Sequence, residues 1–196
     1  MFFSMFSAFS CISSSLKLNS LSGPWTTLYS DTSEKQIKRN QLLTTIPLLT
    51  KEWRVSFEFK ATSYGSGLLQ VLHMTTGGKG VGRSAKYGDR TPAIWTHPTR
   101  GFLIASAVGG KPSYAKYIKG LPPTGEWIRI QVGEELEDSN MTYYVNINGT
   151  RVFSTPNSEP SDFIDVQVFS SSPWYSTVAG FLRNISIEMK NDGTNC

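Results

Sequence analysis

The groups in this sequence that could move protons are two histidines, several tyrosines and the cations of its middle third. Gln70, His73, Tyr87, Arg90, Tyr114, Lys116 and Tyr117 are the types that eliminative cleavage of a uronate chain requires. A His or Tyr exchanges protons, while Arg, Lys or Gln neutralises the sugar carboxylate. Their spacing argues against it. In Gln70-Val71-Leu72-His73 a regular strand turns the first and last side chains to opposite faces. Retaining glycoside hydrolysis needs two carboxyl groups about 5 Å apart, and no alternating carboxylate run is present. The acidic cluster Glu134-Glu135-Leu136-Glu137-Asp138 reads as a solvated loop, with a Ca²⁺ contact as its one chemical use. His73 and His97 do not make a metal site, because no third ligand lies at useful spacing. The residues predict no catalytic set and no metal site.

Binding chemistry is better represented. The stretch Thr75-Thr76-Gly77-Gly78-Lys79-Gly80-Val81-Gly82-Arg83-Ser84 fails the spacing of a nucleotide phosphate loop. Its backbone amides, with Lys79, Arg83 and nearby Lys86, suit sulfate or carboxylate groups of an acidic glycan. In Gly88-Asp89-Arg90-Thr91-Pro92-Ala93-Ile94-Trp95, Pro92 opens a strand and Asp89 pairs with Arg90 to orient the turn before it. Trp95 and His97 alternate and share a face. They form either a core Trp beside an exposed His or a stacking platform beside a donor. Trp174 and Tyr175 follow Pro173 in a loop, where they either stack on sugar rings or fold back as a lid on the core. The candidate ligand-binding residues are Lys79, Arg83, Tyr87, Arg90, Trp95, His97, Trp174 and Tyr175.

The elements that must position these groups are strands. WRVSFEFK turns Trp53, Val55, Phe57 and Phe59 one way and Arg54, Ser56, Glu58 and Lys60 the other, at the two-residue period of a half-buried strand. Similar runs occur at 25–30, 68–75, 92–97, 101–107, 127–132, 142–147, 151–154, 163–170 and 181–189. Asn148-Gly149 supplies the two positive-φ residues of a tight hairpin turn, and Gly180 is expected to serve a similar turn. Residues 31–41 predict only a short turn or edge element. About ten short strands with almost no helix indicate an antiparallel all-β sandwich of the jelly-roll kind.

The 196 residues fit a single domain, divided as a leader over 1–15, the sandwich over 16–190 and a polar tail over 191–196. The leader MFFSMFSAFSCISSS is apolar and uncharged and reads as a secretory signal; no segment is long enough to span a membrane. Three glycosylation sequons begin at Asn140, Asn148 and Asn184, which agrees with an extracellular chain. The net charge of +4 is unevenly spread: residues 73–119 hold 8 basic and 1 acidic side chains, and residues 120–196 hold 4 and 10. Such poles steer anionic partners or a second copy of the chain. Cys11 and Cys196 are the only cysteines. Once a leader is removed, Cys196 is left either to pair between chains or as the mark of a chain that once continued further; with nothing removed, Cys11 and Cys196 could join the two ends. Nucleic-acid recognition is not expected, since no recognition helix, zinc site or RNA-binding motif is present.

The second half has a recognisable cadence. It runs Gly125-Glu126-Trp127-Ile128-Arg129-Ile130, then Tyr143-Tyr144-Val145-Asn146-Ile147-Asn148-Gly149, Phe163-Ile164-Asp165-Val166-Gln167-Val168-Phe169, and Gly180-Phe181-Leu182-Arg183-Asn184-Ile185. This order resembles the concanavalin A-like lectin and glucanase superfamily, and most of all its laminin G-like extracellular members. The resemblance implies two curved antiparallel sheets, recognition of glycans or extracellular glycoproteins, and no cofactor beyond Ca²⁺ in some members. It also sharpens the exclusions. The Glu-x-Asp-x-x-Glu strand of the glucanases is missing. Tyr114-Ala115-Lys116-Tyr117 is similar to an alginate lyase pattern, but the Gln-x-His of those enzymes is missing too. The expected function is a secreted, non-catalytic module that binds carbohydrate or glycoprotein, with acidic glycans favoured. The alternatives are a self-associating matrix or adhesion protein and, third, a polysaccharide lyase.

Overall fold

The computed structural model describes residues 23–78 and 85–190. The leader, Lys79, Arg83, both cysteines and the tail lie outside those residues. Among the described residues the chain forms strands and no helix: β1 (Trp25–Asp31), β2 (Lys35–Gln36), β3 (Leu42–Leu49), β4 (Trp53–Ser63), β5 (Leu69–Thr75), β6 (Ala93–His97), β7 (Gly101–Val108), β8 (Lys111–Ile118), β9 (Ile128–Glu137), β10 (Asn140–Ile147), β11 (Thr150–Pro156), β12 (Phe163–Phe169) and β13 (Ala179–Lys190). Two antiparallel sheets result. Sheet A runs β1-β13-β4-β9-β10-β11, with β2 on β13, and sheet B runs β3-β12-β5-β6-β7-β8.

Alternation along the strands places the core between the sheets. Trp53, Val55, Phe57 and Phe59 of β4 are fully buried, and Ile130 and Val132 of β9 meet Leu72, Met74, Ile94 and Ile104 of sheet B in one cluster. Each large side chain of this kind stabilises the fold by about 1.5–3 kcal/mol on burial. The outward partners on β4 form ion pairs with β13: Arg54 with Glu188 at 2.6 Å and Glu58 with Arg183 at 2.7 Å.

Three sequence expectations are corrected. The acidic cluster is not a loop. Glu134 to Glu137 belong to β9, where Glu134 is buried and Glu135 binds Lys190 at 2.9 Å; only Asp138 and Ser139 turn the chain, both at positive φ. Gly180 is not a turn residue. It lies inside β13 opposite Ala61, and a Cβ there would run into the Lys60 carbonyl oxygen. Asp89 and Arg90 do not pair with each other. The Asp89 carboxylate accepts from the Lys86 amide at 2.6 Å, and Arg90 turns toward Ser113 and Tyr175. The hairpin at Asn148-Gly149 forms as expected, with φ of 48° and 81°.

Candidate functional site

On β5 the register slips between Gln70 and Leu72: Gln70 stands opposite Trp95, while His73 stands opposite Ala93. Trp95 and Ala93 point the same way, since they lie two apart on β6. The bulge therefore brings Gln70 and His73 to one face, correcting the expectation from regular alternation. That face is the outer side of sheet B. It carries Trp95 opposite Leu103, Ala93 opposite Ala105, and Leu103 opposite Tyr117. Trp95, Ala93 and Ala105 make a small apolar cluster apart from the main core, with Leu103 and Tyr175 packed on it.

The segment joining β12 to β13 folds over this cluster, and Gln70 holds it there. Gln70 Oε1 accepts from the Ser172 amide and hydroxyl, both at 2.7 Å. The Gln70 backbone donates to Ser176 and accepts from Val178. Arg39 adds a clamp from β2's side, donating twice to the Pro173 carbonyl. Between these anchors Trp174 and Tyr175 come down on His73, at ring separations of 5.8 and 6.1 Å. Tyr175 meets Trp95 edge-on at 5.3 Å, and Trp174 meets Phe169 at 6.4 Å.

Arg90 closes one side of this aromatic frame. Its backbone carbonyl accepts from Ala107. Its guanidinium lies 5.0 Å from the Trp95 ring and donates to Ser113 Oγ and, at 2.9 Å, to Tyr175 Oη. Among the described residues no carboxylate pairs with it. His73 is fully buried, and its Nε2–H donates to the Asp89 carbonyl at 2.7 Å. Burial, with a smaller contribution from the Arg90 charge, lowers its pKa to about 4, so the ring is neutral and Nδ1 is a bare acceptor.

Among the described residues that acceptor has no hydrogen-bond partner, and neither have Gln70 Nε2, Trp95 Nε1 and Arg90 Nε, all four buried. Buried polar atoms are rarely left unmatched, since each costs about 1–3 kcal/mol. Three donors and one acceptor thus share one aromatic frame, all four closed off from solvent by it.

Of the residues singled out from sequence, Arg90, Trp95, Trp174 and Tyr175 are brought together. Trp95 is a buried floor rather than an open platform. His97 lies further along the same face, edge-on to Tyr117 at 6.3 Å. Tyr87 does not join them: it stacks on Phe163 at 5.9 Å and donates to the Glu159 carbonyl. Tyr114 and Lys116 turn instead to Phe153. The ligand-binding set drawn from sequence omits Gln70, His73 and Ser113. A bulge and a closure over about a hundred residues place Gln70 and His73, and a contact across 23 residues places Ser113; none of these leaves a local signal.

No protein-family model matches the sequence, and no curated protein does. Solved structures do match in shape. Domain 4 of an extracellular GH43 arabinanase from Geobacillus stearothermophilus, solved with arabinotriose, has a TM-score of 0.53 at 16% identity, covering 86% of this chain and 84% of that one. A CBM40 of the Ruminococcus gnavus IT-sialidase has 0.51 at 12%, covering 82% and 91%. The LG4-5 domains of the mouse laminin alpha1 chain have 0.50 at 13%, covering 87% and 43%. The fold is the concanavalin A-like jelly roll. At such identities the likeness shows architecture alone. Two cavities lie away from the aromatic frame: one of about 420 Å³ beside Arg129 and Asn146, and one of about 330 Å³ beside Ile118 and Leu121.

Proposed function

We propose that the chain is an extracellular saccharide-binding module whose ligand docks on the outer face of sheet B, at Arg90, Trp95, Trp174 and Tyr175. The observation that carries this reading is the set of four unmatched polar atoms inside the aromatic frame. The half-exposed rings of Trp174 and Tyr175 offer stacking surfaces for a pyranose. Arg90, a cation with no carboxylate partner among the described residues, favours an acidic sugar. When the ligand takes over Arg90 from Tyr175 Oη, the donors behind that ring come within reach. The shared architecture with an arabinanase domain solved with arabinotriose and with a sialidase CBM40 supports this reading.

The test is calorimetric titration of the full chain with neutral, uronate-terminated and sialate-terminated oligosaccharides. We expect the anionic ligands to bind, with affinity falling as salt rises from about 50 to about 300 mM. Arg90→Gln is expected to weaken binding at least tenfold while leaving the melting temperature within about 2 °C. Absence of binding to every sugar, or an Arg90→Gln variant that binds as the parent does, defeats the reading.

A second reading, proton abstraction from a uronate, draws on one observation: the bulge puts Gln70 and His73 on one face with Arg90 and Tyr175 beside them. A His73 ring held near 4 is a weak base, and general bases work best with a pKa near the operating pH. Rising ultraviolet absorbance on incubation with alginate or other uronans would favour this reading over the first.

A further inference from the structure

We infer that the cavity beside Asn148 seats the first N-acetylglucosamine of a glycan carried on that asparagine. Asn148 is exposed at the tip of the β10–β11 hairpin, where one backbone bond and one side-chain bond fix it to β9. The Asn148 amide donates to the Arg129 carbonyl at 2.8 Å, and its Oδ1 accepts from the Arg129 amide at 2.8 Å. Among the described residues these bonds leave Nδ2, the atom that takes a sugar, with no hydrogen bond of its own. Thr150, the third sequon residue, is exposed.

The cavity opens at this side chain. It measures about 420 Å³ and is lined by Arg129, Gln131, Asn146, Asn148 and Gly149, a size within the range of small-ligand sites. Every lining side chain ends in an amide or a guanidinium, so the wall suits hydroxyl and acetamido groups. Asn146 donates through Nδ2 to Gln131 Oε1 at 2.8 Å, while its buried Oδ1 has no partner. The acetamido N–H of a sugar on Asn148 supplies a donor of the kind that Oδ1 lacks. The other two sequons lack such a seat. Neither lines this cavity, Asn140 Nδ2 already donates to the Asp138 carbonyl at 3.3 Å, and Asn184 is bonded to the Glu58 carboxylate.

Attachment joins Asn148 Nδ2 to the anomeric carbon of a polyprenyl-pyrophosphate-linked oligosaccharide. Nδ2 loses one proton, and the lipid pyrophosphate leaves. The seated sugar then ties the hairpin tip to β9.

The experiment compares full-length chain secreted from a eukaryotic host with the same chain made in bacteria. Occupancy at the three sequons is read by peptide mass spectrometry. Thr150→Ala, which leaves Asn148 in place, should lower the melting temperature of the secreted form by about 2–4 °C, the change expected for about 1 kcal/mol in a chain of this size. It should leave the bacterial form unchanged. Trimming the glycan to a single N-acetylglucosamine should preserve the parent value. In an Arg129→Ala background the Thr150→Ala effect should vanish. An occupied Asn148 with no thermal benefit, a benefit that persists in the Arg129→Ala background, or an empty Asn148 beside filled Asn140 or Asn184 overturns this inference alone. The inference rests on the extracellular reading, and three empty sequons in the secreted chain would overturn both.

Discussion

Glu134 lies at an inward position of β9 and is only 2% exposed. Burial pushes its carboxyl up to about 7, although Asn157 Nδ2 donates to Oε1 at 2.5 Å and opposes the rise. The folded state therefore binds this proton more tightly than the unfolded chain, whose carboxyl titrates near 4.5. The residue's contribution to stability is full below about 4.5 and is lost as pH rises through about 7. Glu134→Gln keeps the acceptor for Asn157 and removes the charge. We expect the variant to match the parent near pH 4 and to exceed it by roughly 3–4 kcal/mol above pH 8, at about 1.4 kcal/mol for each tenfold change in proton affinity. Urea melts across that range decide it; a gap that does not widen with pH rejects the assignment. The burial is legible in principle, because Ile130, Val132 and Glu134 keep one parity. The crowd of acids after it disguises the strand as a loop.

The strands legible from sequence are those whose alternation is uninterrupted, such as β4 and β10. The two that escape, β3 and β8, each contain a proline, Pro47 and Pro112, and proline reads as a strand breaker. Both strands are the edges of sheet B, where a missing backbone donor costs no ladder bond. Gly180 misleads for a related reason. In a strand interior, glycine marks close backbone approach rather than a turn, here against the carbonyl of Lys60 on β4. Gly180→Ala is expected to destabilise the fold by about 1–3 kcal/mol through overpacking. A flexible side chain could swing away from the added methyl, but the facing atom is backbone. Chemical denaturation measures the loss, and a change below about 0.5 kcal/mol would mean that β4 and β13 are not held so tightly.

At the scale of the whole molecule the two outer faces differ in chemistry. Sheet A bears all three sequons, on β10, at the β10–β11 tip and on β13, together with the ion pairs that bind β4 to β13. Sheet B bears none, and its outer face carries the aromatic frame with Arg90. The sandwich is legible because its core pattern is local. The frame is not, because Gln70 meets Ser172 over 102 residues and the bulge that aims His73 has no sequence signature. The division has a consequence for binding. A glycan attached at any of these sequons would stand on the far side of a core about 10 Å thick, where it neither covers the proposed sugar face nor touches its ligand. Removing all three sequons at once, through Thr142→Ala, Thr150→Ala and Ser186→Ala, is therefore expected to change saccharide affinity less than twofold, even where thermal stability falls. Arg90→Gln is expected to do the reverse, cutting affinity at least tenfold with little thermal change. Calorimetric affinities and melting temperatures, measured on both variants in one buffer, test this directly. If the triple variant loses affinity while Arg90→Gln retains it, the ligand sits on sheet A, and the unmatched atoms beneath Tyr175 belong to the packing of the fold alone.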